Sequence, residues 1–174
     1  MYRTMYKMGL TLISFLLLSA IFLSSAHRAE SIANDARTKD EEAVKQVIQS
    51  YFDALKYFDA DKAKLAIHDK AKLFYQDGKR LVEVSGKRFC ENLAHSKKPT
   101  APVPYIEKIL FVDINGDLAV VKAELSLPHA WWTGGKVSLL EPPPGIVNAK
   151  YFSLIRLTDG WKIVSETAST REGM

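Results

Sequence analysis

The stretch YIEKILFVDINGDLAVVKAELSLP, residues 105–128, holds two apolar runs on either side of the dipeptide Asn115-Gly116. Asn-Gly between two such runs is a strong local signal for a tight turn that joins antiparallel strands. We therefore predict a long hairpin in which Ile114 pairs with Asp117. Both faces of this hairpin are apolar near the turn, so the pattern leaves open which face points towards the core.

Two further stretches have the same pattern. Residues 146–170, IVNAKYFSLIRLTDGWKIVSETAST, predict a second long hairpin about Asp159-Gly160, and residues 73–85, LFYQDGKRLVEVS, predict a short one about Asp77-Gly78. Between the long hairpins, residues 129–145 contain three consecutive prolines, which exclude a helix or a central strand there.

The first predicted helix opens at Thr38, because Thr38 and Glu41 have the spacing of a capping box. Apolar residues then recur with the period of one helical face, at Val44, Val47, Ile48, Tyr51, Phe52 and Leu55.

Two shorter helices follow the first. Asp61 is predicted to cap a helix that ends at Ile67, so that His68 lies where this helix gives way to a strand. Ser85 is predicted to cap another helix over residues 87–94. Helices therefore come first and long hairpins last, which predicts an α+β domain with helices packed on one face of a curved antiparallel sheet.

Three stretches also resemble a known family. Residues 47–74, 111–125 and 151–167 are similar to the opening helices and the two late hairpins of the putative lumazine-binding family, within the nuclear transport factor 2-like superfamily. The resemblance covers about residues 38–170. It implies a cone-shaped sheet closed by about three helices, with a largely apolar pocket at the mouth of the cone. The superfamily includes isomerases, dehydratases, cyclases and binding domains, and its late strands often form a dimer face, so the fold alone does not give the function.

The N-terminus has the order of a secretory signal. A short basic segment precedes the apolar run of residues 10–23, and the small residues 24–26 follow. We expect residues 1–26 to be a signal peptide, residues 27–37 a tether and residues 38–170 the folded domain, which places the protein in the periplasm or outside the cell. The alternative is an uncleaved membrane anchor, because residues 10–26 are nearly long enough to span a bilayer.

Charge and composition exclude several classes of function. The formal charge of +4 falls to +2 without residues 1–26, which carry two basic residues and no acidic one, and basic residues form no long run. Nucleic acid is therefore not an expected partner. Cys90, the only cysteine, allows no intrachain disulfide and is predicted to be a small core residue. The four histidines lack the spacing of a metal site and no phosphate-binding glycine loop is present, so we expect no metal and no cofactor.

Polar residues near the predicted pocket are candidates for binding a small apolar or aromatic ligand. The first selection comprises Tyr51, Tyr57, His68, Tyr75, Glu124, His129 and Glu166. Each has a structural alternative: Tyr51 fits a core position, His68 fits a helix end, Tyr75 lies beside a turn and Glu124 fits a solvated strand face. Two adjacent tryptophans near Gly134-Gly135 suggest a lid or a partner surface. The ligand-binding set that we predict is Tyr51, His68, Tyr75, Glu124, His129, Trp131 and Trp132.

Three functions remain open. The first is an exported, non-catalytic domain that binds a small molecule or serves as a scaffold. The second is a cofactor-independent acid/base enzyme of the isomerase or dehydratase type, in which Tyr51 and His68 would be the reacting pair. The third is a subunit-association module that forms a homodimer through its late strands. Because no aspartate lies clearly inside a strand and the histidines are dispersed, we favour binding and predict no catalytic residues.

Overall fold

The structure is a computed structural model that describes residues 34–77, 79–127 and 146–172. The predicted signal peptide and most of the predicted tether lie outside the described residues. No helix within these ranges is both long enough and apolar enough to cross a membrane. A compact unit begins at Glu41, and it contains the strands and the site described below.

Helix α1 spans residues 34–57 and carries the predicted apolar stripe. Val44, Ile48 and Phe52 are fully buried on this stripe. The predicted start at Thr38 is wrong, because residues 34–37, which we assigned to the tether, are already helical. The Thr38 hydroxyl donates to the carbonyl oxygen of Asn34 at 2.9 Å, one turn earlier, so it bonds within the helix instead of capping it.

Helix α2 spans Ala60–Ala66, and its cap is Asp59 and not the predicted Asp61. The Asp59 carboxylate accepts from the backbone N–H groups of Asp61 and Lys62, which leaves Asp61 in the first turn. The helix ends one residue before the predicted Ile67.

Helix α3 spans Gly86–His95, one residue longer at each end than the predicted 87–94, and the predicted Ser85 caps it by accepting from the N–H of Arg88 at 3.2 Å. Cys90 and Leu93 are buried on its inner face, which confirms that Cys90 is a core residue.

Within the described residues, six strands form one sheet, in the order β2-β1-β6-β5-β4-β3. Their bounds are β1 Ile67–Asp77, β2 Arg80–Ser85, β3 Ile106–Asn115, β4 Leu118–Leu127, β5 Ile146–Leu157 and β6 Gly160–Glu172. The three predicted hairpins are present as the antiparallel pairs β1–β2, β3–β4 and β5–β6. The α+β class is therefore confirmed, with one addition: β1 pairs with β6 in parallel, so the sheet is mixed.

The turn of the β3–β4 hairpin lies one residue later than predicted. Ile114 pairs with Ala119 and not with Asp117, and Gly116 and Asp117 form the turn. Gly116 has a φ of 60°, a conformation that glycine adopts without strain, and this places it first in the two-residue turn. In the β5–β6 hairpin the turn residues are Thr158 and Asp159, one position before the predicted pair.

The core lies between α1 and one face of the sheet. Strand β4 settles the question that its sequence leaves open, because its odd-numbered residues Ala119, Val121, Ala123 and Leu125 are buried. Phe152 and Leu154 of β5 and Ile163 of β6 join them, together with the apolar stripe of α1.

Candidate functional site

A cavity of about 410 Å³ lies between the inner face of the sheet and helices α1 and α3. This volume is within the usual range for small-molecule sites. Its apolar and aromatic walls come from both helices and from four strands, and include Leu55, Leu73, Phe74, Val84, Phe89, Leu93, Tyr105, Leu125 and Ala168.

Three polar side chains meet in the wall of this cavity: Tyr51 from α1, Lys150 from β5 and Glu166 from β6. The Tyr51 hydroxyl donates to Glu166 Oε1 at 2.9 Å and accepts from Lys150 Nζ at 3.1 Å. Lys150 Nζ also forms a close ion pair with Glu166 Oε1. At most 7% of each residue's surface is exposed, so the three side chains contact one another away from bulk water. We call this group the polar cluster.

Strand geometry brings the two charged members of the polar cluster to the inner face. On β5, Lys150 lies two and four residues before the buried Phe152 and Leu154, and side chains two residues apart share a face. On β6 the alternation changes, because the pairing register shifts by one residue between Ile163 and Ser165. This bulge at Val164 turns the even-numbered Glu166 to the side that Ile163 occupies before it.

Two aromatic rings contact the side chain of Tyr51 on α1. The Tyr51 ring stacks on Phe89 at 5.9 Å and meets Phe152 edge to face at 5.1 Å. Burial is the main cause that raises the pKa of Tyr51 well above 10.0, and the charge and hydrogen bond of Glu166 raise it further. Tyr51 therefore keeps its proton at neutral pH and acts as a donor. Burial also raises the pKa of Tyr105, another residue of the cavity wall.

Glu166 has one carboxylate oxygen that the polar cluster does not use. Oε1 accepts from both Tyr51 and Lys150, whereas buried Oε2 has no hydrogen-bond donor among the described residues. Lys150 and Glu166 are also the only charged residues among the described residues that line the cavity. The polar cluster is thus balanced in charge and retains unused capacity to accept a hydrogen bond.

Across the residues that the structure describes, no group of three or more His, Cys, Asp and Glu side chains could hold a metal ion.

The predicted ligand-binding residues separate into three groups. Tyr51 and Tyr75 line the cavity, Tyr51 in its interior and Tyr75 with 44% of its surface exposed. His68 and Glu124 are absent from the described lining residues. The other three, His129, Trp131 and Trp132, lie outside the described residues. A role in binding stays a prediction for all seven.

His68 and Glu124 have local surroundings that explain their positions. His68 is the second residue of β1, and its Nδ1 accepts from the N–H of Lys70 at 3.1 Å. Glu124 alternates with the buried Ala123 and Leu125, so its side chain belongs to the opposite face of the sheet. Tyr57, an early candidate, is 44% exposed and is likewise not among the lining residues.

Sequence reasoning missed Lys150 and left Glu166 out of the final set. The alternation in KYFSL carried the signal for Lys150, because Phe152 and Leu154 are natural core residues and Lys150 has the same parity. No comparable signal pointed to Glu166, because the bulge reverses the parity of β6 beyond Ile163.

The sequence of residues 39–133 matches a protein family described as "Putative lumazine-binding". The chain belongs to this putative lumazine-binding family. The match covers more than half of the 174 residues, and it confirms the resemblance noted in the sequence. No curated protein is similar enough in sequence to count as a relative.

Solved structures share the fold of this family member. An NTF-2 like protein of unknown function from Silicibacter pomeroyi has 16% identity and a TM-score of 0.61, over 78% of this chain and 98% of that one. A putative dehydratase from Streptomyces avermitilis has 17% identity and a TM-score of 0.55, over 78% and 98%. A ketosteroid isomerase-like protein from Erwinia carotovora atroseptica has 15% identity and a TM-score of 0.53, over 74% and 94%. At these identities the likeness establishes the nuclear transport factor 2-like fold and nothing finer.

Proposed function

We propose that this protein is an exported, non-catalytic domain that binds a small apolar or aromatic molecule in the cavity. One observation carries the proposal: a cavity of about 410 Å³ with apolar and aromatic walls has a single charge-balanced polar cluster in its wall. Small-molecule sites typically combine such walls with a few polar groups that orient the ligand. The description of the family is consistent with a ligand of this kind.

The arrangement of the polar cluster favours binding over catalysis. An acid/base mechanism built on Tyr51 and His68 needs both side chains at the same substrate, and His68 is not among the described lining residues. Tyr51 holds its proton, and Glu166 Oε1 already accepts two hydrogen bonds. Such a cluster suits a fixed anchor for a bound molecule.

Export is supported by the sequence of residues 1–26, which has the basic, apolar and small-residue order of a cleaved signal. We expect the mature chain to begin at residue 27 and to be recovered outside the cytoplasm. Intact-mass measurement on fractionated cells tests this, and residues 1–26 retained in the membrane fraction would contradict it.

One observation, the unpaired oxygen of Glu166, favours the alternative of an acid/base enzyme. Glu166 lines the cavity, and one oxygen of its buried carboxylate has no donor among the described residues, so it would replace His68 as the candidate base. A screen of ketone, enol and hydroxy-acid compounds separates the two functions. We expect binding without turnover. Turnover by the wild type that falls about a hundredfold or more in Glu166→Gln, with folding intact, would establish the enzyme instead.

Association through the late strands remains the third possibility, and the outer face of the sheet supports it. Phe111, Leu118 and Tyr151 are large apolar residues on β3, β4 and β5 and are 49–60% exposed. Lys122 pairs with both Phe111 and Tyr151, and its Nζ lies 5.5 Å from the Tyr151 ring centroid. Light scattering across a concentration series tests this association, and a monomer at every concentration would remove it.

A further inference from the structure

We propose that the protein docks on an anionic lipid surface through exposed residues beside the opening of the cavity. These residues belong to the β1–β2 hairpin and to the segment that follows α3, and we call them the basic rim: Tyr75, Lys79, Arg80, Leu81, Lys97 and Lys98. The inference goes beyond the proposed function and does not depend on it, because docking needs no molecule in the cavity.

Exposed lining residues mark where the cavity reaches the surface. Tyr75 and Gln76 lie near the end of β1, line the cavity and are exposed. Asn92, in the last turn of α3, and Ser96, directly after it, have the same two properties. Strand β1 and helix α3 therefore both end at the opening. The basic rim borders the opening because its residues follow these two ends along the chain.

Positive charge collects beside the opening. The basic rim has four cations, all of them exposed and none of them in an ion pair with a described residue: Lys79, Arg80, Lys97 and Lys98. The only acidic residue between Tyr75 and Leu81 is Asp77, so positive charge remains in excess. Uncompensated cations of this kind are attracted to anionic lipid headgroups.

Two large apolar side chains accompany the cations. Leu81 is 73% exposed and Tyr75 is 44% exposed, and Leu81 pairs in register with the lining residue Gln76. Apolar groups beside lysines suit a lipid surface, because they enter the acyl boundary while the ammonium groups stay with the phosphates. A nucleic acid would use the cations and leave Leu81 in water, so the combination favours lipid.

The distribution of charge along the chain favours the same orientation. Residues 61–98 contain ten basic and five acidic residues, whereas the remainder of residues 27–174 contains twelve basic and fifteen acidic residues. The net charges are therefore +5 and −3. An anionic surface attracts the first part, which includes the basic rim, and repels the second.

Cosedimentation with lipid vesicles tests the attraction. Phosphatidylcholine vesicles with about one third phosphatidylglycerol are anionic, and pure phosphatidylcholine vesicles are neutral. We expect the protein to bind the anionic vesicles at least about a hundredfold more tightly at about 0.1 M salt, and to lose this preference at about 1 M salt. Equal binding to both kinds of vesicle at low salt, or no binding to either, would overturn the inference.

Paired substitutions test which cations make the contact. Lys97→Gln/Lys98→Gln should weaken binding to anionic vesicles about 25-fold, because each cation near the surface contributes about fivefold. Lys64→Gln/Lys70→Gln removes the same charge from exposed positions, and Lys70 lies six residues, about 20 Å, before Gln76 on β1. At that distance salt screens the attraction, so this control should lose less than about fivefold. Equal losses in the two folded variants would overturn the inference.

Leu81→Trp measures whether the hairpin enters the lipid. Its fluorescence in anionic vesicles with brominated acyl chains, after subtraction of the wild-type signal, is compared with that of Leu65→Trp. Leu65 is a matched control because it is 67% exposed and lies on α2. We expect bromine to quench Leu81→Trp and not Leu65→Trp. Equal quenching would contradict the inference, because a membrane anchor alone would not distinguish the two positions.

Duplex DNA as a competitor tests the other class of anionic partner. Binding to the DNA without binding to anionic vesicles would overturn docking on lipid and make a nucleic acid the partner. The vesicle experiments contain no ligand for the cavity, so their failure would leave the proposed function standing. Conversely, a cavity that holds no small molecule would leave docking on lipid standing.

Discussion

Tyr51 connects the packing of the core to the chemistry of the cavity. Its ring stacks on Phe89 and meets Phe152 edge to face, and its hydroxyl joins Lys150 to Glu166. A buried ion pair is costly unless further hydrogen bonds satisfy its atoms, and the Tyr51 hydroxyl supplies two of these. Removing this hydroxyl should therefore affect stability through the polar cluster while leaving the ring contacts in place.

We expect Tyr51→Phe to lower the free energy of unfolding by about 1.5–3 kcal/mol, because hydrogen bonds to charged groups contribute on this scale. Urea denaturation measures the change. Tyr75→Phe is the control, because Tyr75 also lines the cavity but is 44% exposed, and it should change the stability little. Equal effects of the two variants would show that the Tyr51 hydroxyl does not stabilise the polar cluster.

The raised pKa of Tyr51 predicts a loss of stability at alkaline pH. The neutral hydroxyl is favoured in the folded state, whose pKa lies well above the unfolded value near 10.0, so its contribution is complete below that value and falls as the pH rises above it. Urea denaturation from about pH 9 to about pH 11 should show a steeper fall for the wild type than for Tyr51→Phe. Parallel falls would contradict the assignment.

At the level of single residues, the sequence predicted part of the site. Tyr51 was predicted because it lies on the helical stripe and has a polar tip. The inward position of Lys150 was predictable from the alternation of β5, in which Lys150 shares a face with Phe152 and Leu154. It was not predicted because lysine side chains are usually exposed. Glu166 was not predictable from alternation, because a bulge arises from strand pairing and leaves no clear sign in one sequence.

Among the elements, α3 owes its position to a close approach at Gly86. A Cβ atom at this residue would lie 2.2 Å from the carbonyl oxygen of His68 and 2.8 Å from Ile67 Cγ2. Without that atom, α3 packs directly on β1 and places Phe89 and Leu93 in the cavity wall.

Gly86→Ala should therefore lower the free energy of unfolding by about 1–3 kcal/mol, the usual effect of overpacking, because a backbone oxygen cannot move aside as a side chain could. It should also weaken ligand binding by displacing α3. Lys87→Ala at the exposed next position is the control. Thermal denaturation of the two variants measures the difference, and a Gly86→Ala protein as stable as the control would refute the close approach.

The stripe of α1 gives a second prediction at this scale. Phe52 is fully buried and packs edge to face against Phe152, so Phe52→Ala should cost about 3–5 kcal/mol. Leu65→Ala, at a position that is 67% exposed, should cost far less. A change below about 1 kcal/mol for Phe52→Ala in denaturant melting would show that the stripe does not face the core.

Elements were predicted better than their ends. The apolar period, the Ser85 cap and the three turn dipeptides depend on local chemistry, so the helices and hairpins were expected in the right order. The turn of the β3–β4 hairpin lies one residue later than predicted because Gly116 takes the positive φ. Helix α2 starts at a cap two residues earlier than predicted, because both Asp59 and Asp61 can cap a helix and the fold uses Asp59.

For the whole molecule, the parallel contact between β1 and β6 determines where the cavity lies. These strands are far apart in sequence, and their pairing brings Leu73 and Phe74 beside Glu166 and Thr167. Local patterns cannot specify such a pairing, because parallel strands are joined by long connections and not by a turn. The family resemblance predicted a pocket between the sheet and the helices, whereas the polar cluster in the cavity wall is seen only in the structure.

Native mass spectrometry of the protein isolated from its source cells tests the central claim, that the cavity holds a small molecule, most directly. Ala168→Trp places a large side chain from the cavity wall into the cavity. Ala94→Trp adds the same side chain at an exposed position of α3. We expect an added small-molecule mass on the wild type and on Ala94→Trp, and its loss from Ala168→Trp. An added mass retained equally by folded Ala168→Trp, or no added mass on the wild type, would contradict the account.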